Sequence, residues 1–94
     1  MILHHEPDRH RFVAVLDDEE GVLEYRPAGD GVLDYYHTYV PQSLRGRGIA
    51  GRLVAFALEH AREHRLKVVP SCPFVAKIIA ADAAYQGLVE PSAR

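Results

Sequence analysis

A single cysteine, Cys72, excludes an internal disulfide framework, and no uninterrupted apolar run follows a basic flank at the N-terminus as in a secretory signal. An intracellular, cytoplasmic protein without a membrane segment is expected. Neither sign of charge dominates. With 11 basic and 13 acidic residues the formal net charge is −2, so a surface built to coat nucleic acid is not expected. Repeats and low-complexity segments are absent as well. What remains is an ordinary globular composition, 48% apolar and 26% charged over 94 residues, enough for one hydrophobic core and too little for two. One domain over residues 1–94 is expected.

After the polar start Met1–His10, Phe12–Leu16 is apolar and rich in strand formers, and Asp17–Gly21 supplies a turn. Val22–Arg26 resumes an extended pattern to Pro27, and Ala28–Gly31 turns the chain into Val32–Val40. These three strands predict an antiparallel meander, ended by Pro41, which cannot donate to a ladder. From Ile49 to Arg65 apolar residues recur at three- and four-residue intervals, with Arg52, Glu59, Arg62 and Glu63 outside them. That period predicts an amphipathic helix. Leu66–Pro70 reads as a short strand, Phe74–Ala84 as a second helix introduced by Pro73, and Tyr85–Arg94 as a frayed tail. The fold class expected is α/β (α+β), with a mixed, mostly antiparallel central sheet carrying helices.

The segment Gln42–Ala50 joins a strand end to a helix start. Gly46 and Gly48 let backbone approach a ligand without β-carbons in the way, and the first turn of a helix offers unpaired N–H groups to an anion. Arg45 and Arg47 add positive charge. A basic turn followed by a surface helix would look the same on the glycines alone. A Walker loop needs Gly-Lys-Ser/Thr, and a dinucleotide fingerprint needs a third glycine, so neither applies.

Arg45-Gly46-Arg47-Gly48-Ile49-Ala50, followed by Leu53, resembles the acetyl-CoA loop of GNAT acetyltransferases, Gln/Arg-x-x-Gly-x-Gly/Ala. His37-Thr38-Tyr39-Val40-Pro41 and Cys72-Pro73-Phe74-Val75 extend the resemblance to the very small, single-domain GNAT-like proteins, over about residues 22–89. The resemblance implies a reduced GNAT-like acyl-CoA N-acyltransferase fold. It implies that the amides of Arg45, Gly46, Arg47, Gly48, Ile49 and Ala50 hold the diphosphate of coenzyme A, and that Tyr39, Val40 and Ile49 serve the pantetheine arm. The activity implied is transfer of an acetyl group from acetyl-CoA to an amine.

Larger members place one or two helices between their first two strands, whereas only Asp17–Gly21 stands there in this reading. An open acceptor surface is therefore expected, suited to an exposed amine on a macromolecule such as a protein, or walled by a second copy of the chain in a homodimer. His37 is the one histidine in the strand feeding the loop and is a candidate base; a strand-face histidine that merely hydrogen-bonds is the alternative. Cys72 is a candidate acetyl-accepting nucleophile if the helix beginning at Pro73 lowers its pKa, and otherwise a small buried hydrophobe lining the pocket. The family's acid tyrosine has no counterpart in Val75–Ile79, and Tyr85 lies too late to replace it. A non-catalytic coenzyme A-binding or acyl-CoA-sensing module thus stays open as the alternative to an enzyme. His60-Ala61-Arg62-Glu63-His64 matches the His-x-x-Glu-His spacing of some zinc peptidases, but it closes a helix on a charged face and lacks a further carboxylate ligand, so no metal is expected.

Overall fold

The computed structural model describes residues 1–93, and its sheet begins earlier than the hydrophobic pattern suggests. Strand β1 (Ile2–Glu6) occupies the stretch read above as a polar start, and a single 3-10 turn over Pro7–Arg9 leads into β2 (Arg11–Leu16). Strands β3 (Glu19–Pro27) and β4 (Val32–Tyr39) complete the expected meander. Helix α1 (Ile49–Glu63) then crosses to β5 (Lys67–Val69), followed by α2 (Pro73–Ala81) and α3 (Ala83–Gln86). The sheet order is β1-β2-β3-β4-β5, antiparallel up to β4 and parallel between β4 and β5. This is the mixed, mostly antiparallel sheet with helices that the sequence predicts.

Three expectations need correction. The turn between β2 and β3 is only Asp17–Asp18, both with left-handed φ of 53° and 61°, which suits a two-residue hairpin; Glu19, Glu20 and Gly21 are already strand. The first connection of the sheet is therefore Pro7–His10 and not Asp17–Gly21. The tail does not fray over its described part. Asp82 ends α2 and caps α3 by accepting from the Ala84 amide, and Val89 bridges to Val68 on the free side of β5. Arg94 lies outside the described residues.

Helix α1 packs against β2 and β3 with Leu53, Val54, Ala57, Leu58 and Ala61 buried. Opposite them stand Phe12, Ala14, Leu23, Tyr25 and Tyr35. The Tyr35 hydroxyl donates to the Ala57 carbonyl at 2.6 Å, so the buried phenol has its partner, and burial pushes its pKa well up. The other sheet face mixes a valine patch, with Val13 fully buried, and charged side chains. Arg11 with Glu6 and Glu20, and Arg26 with Asp34, are cross-strand ion pairs there.

At one end of the core His5 stacks on Phe12 at 4.5 Å, meets His60 at 4.5 Å, and is 2.6 Å from the Tyr25 hydroxyl through Nε2. Burial first, and then neighbouring histidines His64 and His10, lower the pKa of His5; burial, His5 and His64 lower that of His60 against an opposing pull from Glu63. The folded state thus binds fewer protons than the unfolded chain below the ordinary value of 6.5. This contribution to stability is complete above 6.5 and is lost as pH falls through the lowered values. The expected result is a lower urea midpoint at pH 5 than at pH 7.5, with the difference reduced in His60→Phe.

Candidate functional site

Pairing between β4 and β5 covers only Val32–Lys67, Leu33–Val68 and Asp34–Val69. The Cys72 amide then donates to the Tyr35 carbonyl at 3.0 Å, and beyond this point β4 has β3 on one side and no strand on the other among the described residues. An open V results. Its walls are the end of β4, the loop before α1 and the start of α2.

A β-bulge sets which side chains line the V. Glu24 on β3 faces His37, whereas its neighbour Tyr25 faces Tyr35, so Tyr36 is an extra residue in β4. An inserted residue shifts the alternation of faces by one. Thr38, paired with the buried Leu23, therefore points to the α1 side of the sheet, and His37, paired with Glu24, points to the other. His37 is exposed, its Nε2 4.0 Å from Glu24 Oε1. The structure thus separates the two candidate catalytic residues, for it is Thr38 that meets Cys72, with Oγ1 3.5 Å from Sγ.

The loop lies at the mouth of the V. Gly46 and Gly48 have φ of 82° and 74°, and a β-carbon at either would meet nothing within 4 Å. They leave a bare backbone cradle at the N-terminus of α1, where Gly48 is the cap residue. The loop is held from outside: Arg45 Nε donates to the Val40 carbonyl at 2.9 Å, Arg47 pairs with Asp17 at 3.0 Å, and the Ser43 hydroxyl bonds to Glu19. Two adjoining hollows of about 220 and 330 Å³ share Val40, Arg45, Ala50 and Phe74. One extends to Gly46, Gly48, Ile49 and Gly51, and the other to Thr38 and Tyr39.

Seven of the eight residues expected at the cofactor loop and strand therefore line one cleft. Arg47 does not, being turned toward Asp17. Leu44, Gly51, Thr38 and Phe74 also line it. Of these, Thr38 and Phe74 stand inside the two quoted motifs, and Gly51 lies one residue past the loop motif, on the same helix start.

Cys72 caps α2, with Pro73 at the first helical position, and is 6% exposed. Burial pushes its thiol up, but hydrogen bonding with the Thr38 hydroxyl and with the backbone of Val75, Phe74 and Thr38 outweighs burial and sets it below the usual value of 9. Iodoacetamide should therefore alkylate Cys72 with a pH midpoint below 9, and Thr38→Val should raise that midpoint. Mass spectrometry of the alkylated peptide across pH checks both.

Elsewhere, His64 Nδ1 lies 2.9 Å from the carbonyl of His60, and the described residues contain no group of three His, Cys, Asp or Glu side chains placed for a metal ion. Among the described residues no helix is long and apolar enough to cross a membrane.

Comparison with known proteins agrees with this geometry. A family described as GCN5-related N-acetyl-transferase matches residues 11–88. Protein NATD1 of Gallus gallus and of Homo sapiens are each 35% identical over 77 residues, 80% of this chain and 70% and 68% of theirs; the Danio rerio protein is 32% identical over the same length, 80% of this chain and 70% of its own. The solution structure of a GCN5-like candidate N-acetyltransferase from Staphylococcus aureus superposes with a TM-score of 0.73 at 25% identity, covering 95% of this chain and 87% of that one. With a matching family over most of its length, and a fold whose sheet opens beside a glycine loop, the chain belongs to the GCN5-related N-acetyltransferase family.

Proposed function

We propose that the protein binds acetyl-CoA in the V between β4 and α2 and transfers its acetyl group to an amine presented on the outer face of the sheet. The observation that carries this reading is the bare cradle at Gly46 and Gly48, opening into a cleft that runs along the unpaired edge of β4. A diphosphate suits the cradle because its oxygens need several amide donors at once, and the α1 terminus supplies them without side-chain interference. The pantetheine arm carries amides of its own, so the unpaired edge of β4 near Tyr39 and Val40 can pair with it as with a strand.

Bound acetyl-CoA supplies a thioester, whose C–S bond breaks as the acceptor nitrogen forms the new C–N bond; the nitrogen loses one proton and the departing thiolate takes one up. An arm laid from Gly48 past Val40 and Thr38 brings the acyl end to the bulge at Tyr36, where backbone amides of β4 are free of a second strand and can donate to a developing oxyanion. Cys72 borders the same end from α2. His37 lies across the strand from Cys72, on the face from which an acceptor approaches, and is the base available there. The single turn Pro7–Arg9 between β1 and β2 puts no helix over that face, which supports an acceptor carried on a macromolecule.

One observation favours a second reading, a coenzyme A-binding module without turnover: among the described residues no histidine or carboxylate lines the cleft, and Val75–Ile79 holds no tyrosine. Release of free thiol from acetyl-CoA, measured with a panel of primary amines and lysine peptides, separates the two. Amine-dependent thiol release supports the enzyme, and binding without release supports the module.

A further inference from the structure

Beyond the cleft, where β4 and β5 cease to pair at Asp34 and Val69, lies a group that the acetyl-CoA reading does not use. Asp34 is the only buried charged side chain among the described residues. Its Oδ2 accepts from Arg26 Nε at 3.1 Å, whereas Oδ1 is closed off from solvent and has no partner. A desolvated carboxylate oxygen without a donor is unfavourable and would be relieved by a cation with more than one N–H to give. Arg26 gives Oδ2 only its Nε. Its guanidinium carbon sits 4.5 Å over the centre of the Tyr36 ring, and its side chain is 62% exposed. Tyr36 is the extra residue of the bulge, and its ring is presented on the outer face beside Asp34.

We infer that Asp34 and Tyr36 form a recognition site for the ammonium group of the acceptor, and that Arg26 fills it as an internal stand-in which the acceptor displaces. A carboxylate set next to an aromatic face is a cation site by chemistry, and the structure shows it already holding a cation. Once Arg26 swings out, a primary ammonium, compact and with three donors, can take its place on Oδ2 and against Tyr36 and reach in toward Oδ1, which the planar guanidinium, held over the Tyr36 ring, does not serve. Displacement is easy because most of the Arg26 side chain is in water. The site lies past the thioester end of the cleft, so an amine on an unbranched carbon chain is gathered there as its ammonium on the acceptor face; it gives one proton to His37 or solvent before attack and a second as the amide forms, the thiolate taking one up. The word acceptor rests on the acetyltransferase reading; the cation site itself does not.

The test is an NMR titration of the full chain with n-butylammonium chloride, with sodium chloride as the ionic control, in wild type and Arg26→Ala. Saturable shifts clustered on residues 34–37 are expected in Arg26→Ala, with binding weaker in wild type by roughly tenfold. They should vanish in Arg26→Ala combined with Asp34→Asn, and weaken when Tyr36→Leu, at an exposed ring, is combined instead. Equal binding with and without Arg26, or shifts that survive both second substitutions, would overturn the site. Acetylation of n-butylamine from acetyl-CoA then separates the two claims. A lower KM in Arg26→Ala at unchanged kcat supports the acceptor role. Local binding without acetylation by either protein removes that role and the transfer reading while leaving the cation site; acetylation indifferent to Asp34 and Arg26 removes the site's role and leaves the transfer reading.

Discussion

Gly48→Glu is expected to weaken coenzyme A binding by about thirtyfold or more. The substituted side chain would project from the cap of α1 into space where a β-carbon meets nothing within 4 Å, the space assigned to the diphosphate. Two like charges about 4 Å apart near a protein surface repel by about 4 kcal/mol, and half of that already corresponds to roughly thirtyfold. The helix terminus, which would otherwise attract the phosphate oxygens, is neutralised by the same carboxylate. A second effect accompanies the first. Gly48 has φ of 74°, a region where a residue with a β-carbon loses about 1–2 kcal/mol. Gly48→Ala carries that conformational penalty without the charge. The two variants should therefore lose similar stability in urea, while only the glutamate loses most of its affinity in a calorimetric titration. Equal affinities for the two would remove the diphosphate from Gly48.

Phe12→Ala is expected to have the largest effect on stability and little on the cleft. Phe12 is fully buried, and its ring has His5, His60, Tyr25, Tyr35 and Phe56 around it at centroid distances of 4.5–6.0 Å. Most of these rings sit on other elements, so they cannot close together over the space without moving strands or α1. Truncation of a phenylalanine in such surroundings costs about 3–5 kcal/mol. In a domain of this size that lowers the melting temperature by roughly 12–40 °C. Phe12→Leu, which retains most of the volume, should lose far less. A thermal scan followed by circular dichroism checks the ranking. A drop of only a few degrees in Phe12→Ala would mean that this end of the core is loosely packed.

How far the sequence foretells this molecule depends on which element is considered. The meander, α1 and the glycine loop are legible because their signals are strong: alternating or β-branched runs, a 3.6-residue period, and two glycines between a strand and a helix. Strand β1 was hidden because His4, His5 and Glu6 read as polar, yet Leu3 and His5 pair with Ala14 and Phe12 on the buried face. Histidine serves there as an aromatic ring. The end of α1 carries no glycine signal, since Arg65 takes the left-handed position with φ of 57° while the Leu66 amide bonds to the Ala61 carbonyl. Cysteine 72 could be placed beside the cleft from the motif at Pro73. His37 could not be assigned a face. Strict alternation from Tyr35 would bring His37 to the side of Cys72, and only the bulge at Tyr36, which has no local sequence signature, turns Thr38 inward instead.

The coupling between loop and hairpin was equally unreadable. Arg47 pairs with Asp17 and Ser43 with Glu19, contacts 30 and 24 residues apart in the chain. Such contacts fix the loop before any ligand arrives, which reduces the ordering cost of binding. They also explain why the Arg47 side chain, expected to add positive charge at the loop, turns away from the cleft.

The measurement that bears most directly on the central claim is a calorimetric titration of the purified protein with acetyl-CoA. Saturable one-to-one binding, competed by free coenzyme A, is the predicted result. No heat of binding at high ligand concentration, from a protein shown to be folded, would contradict the assignment of the cleft.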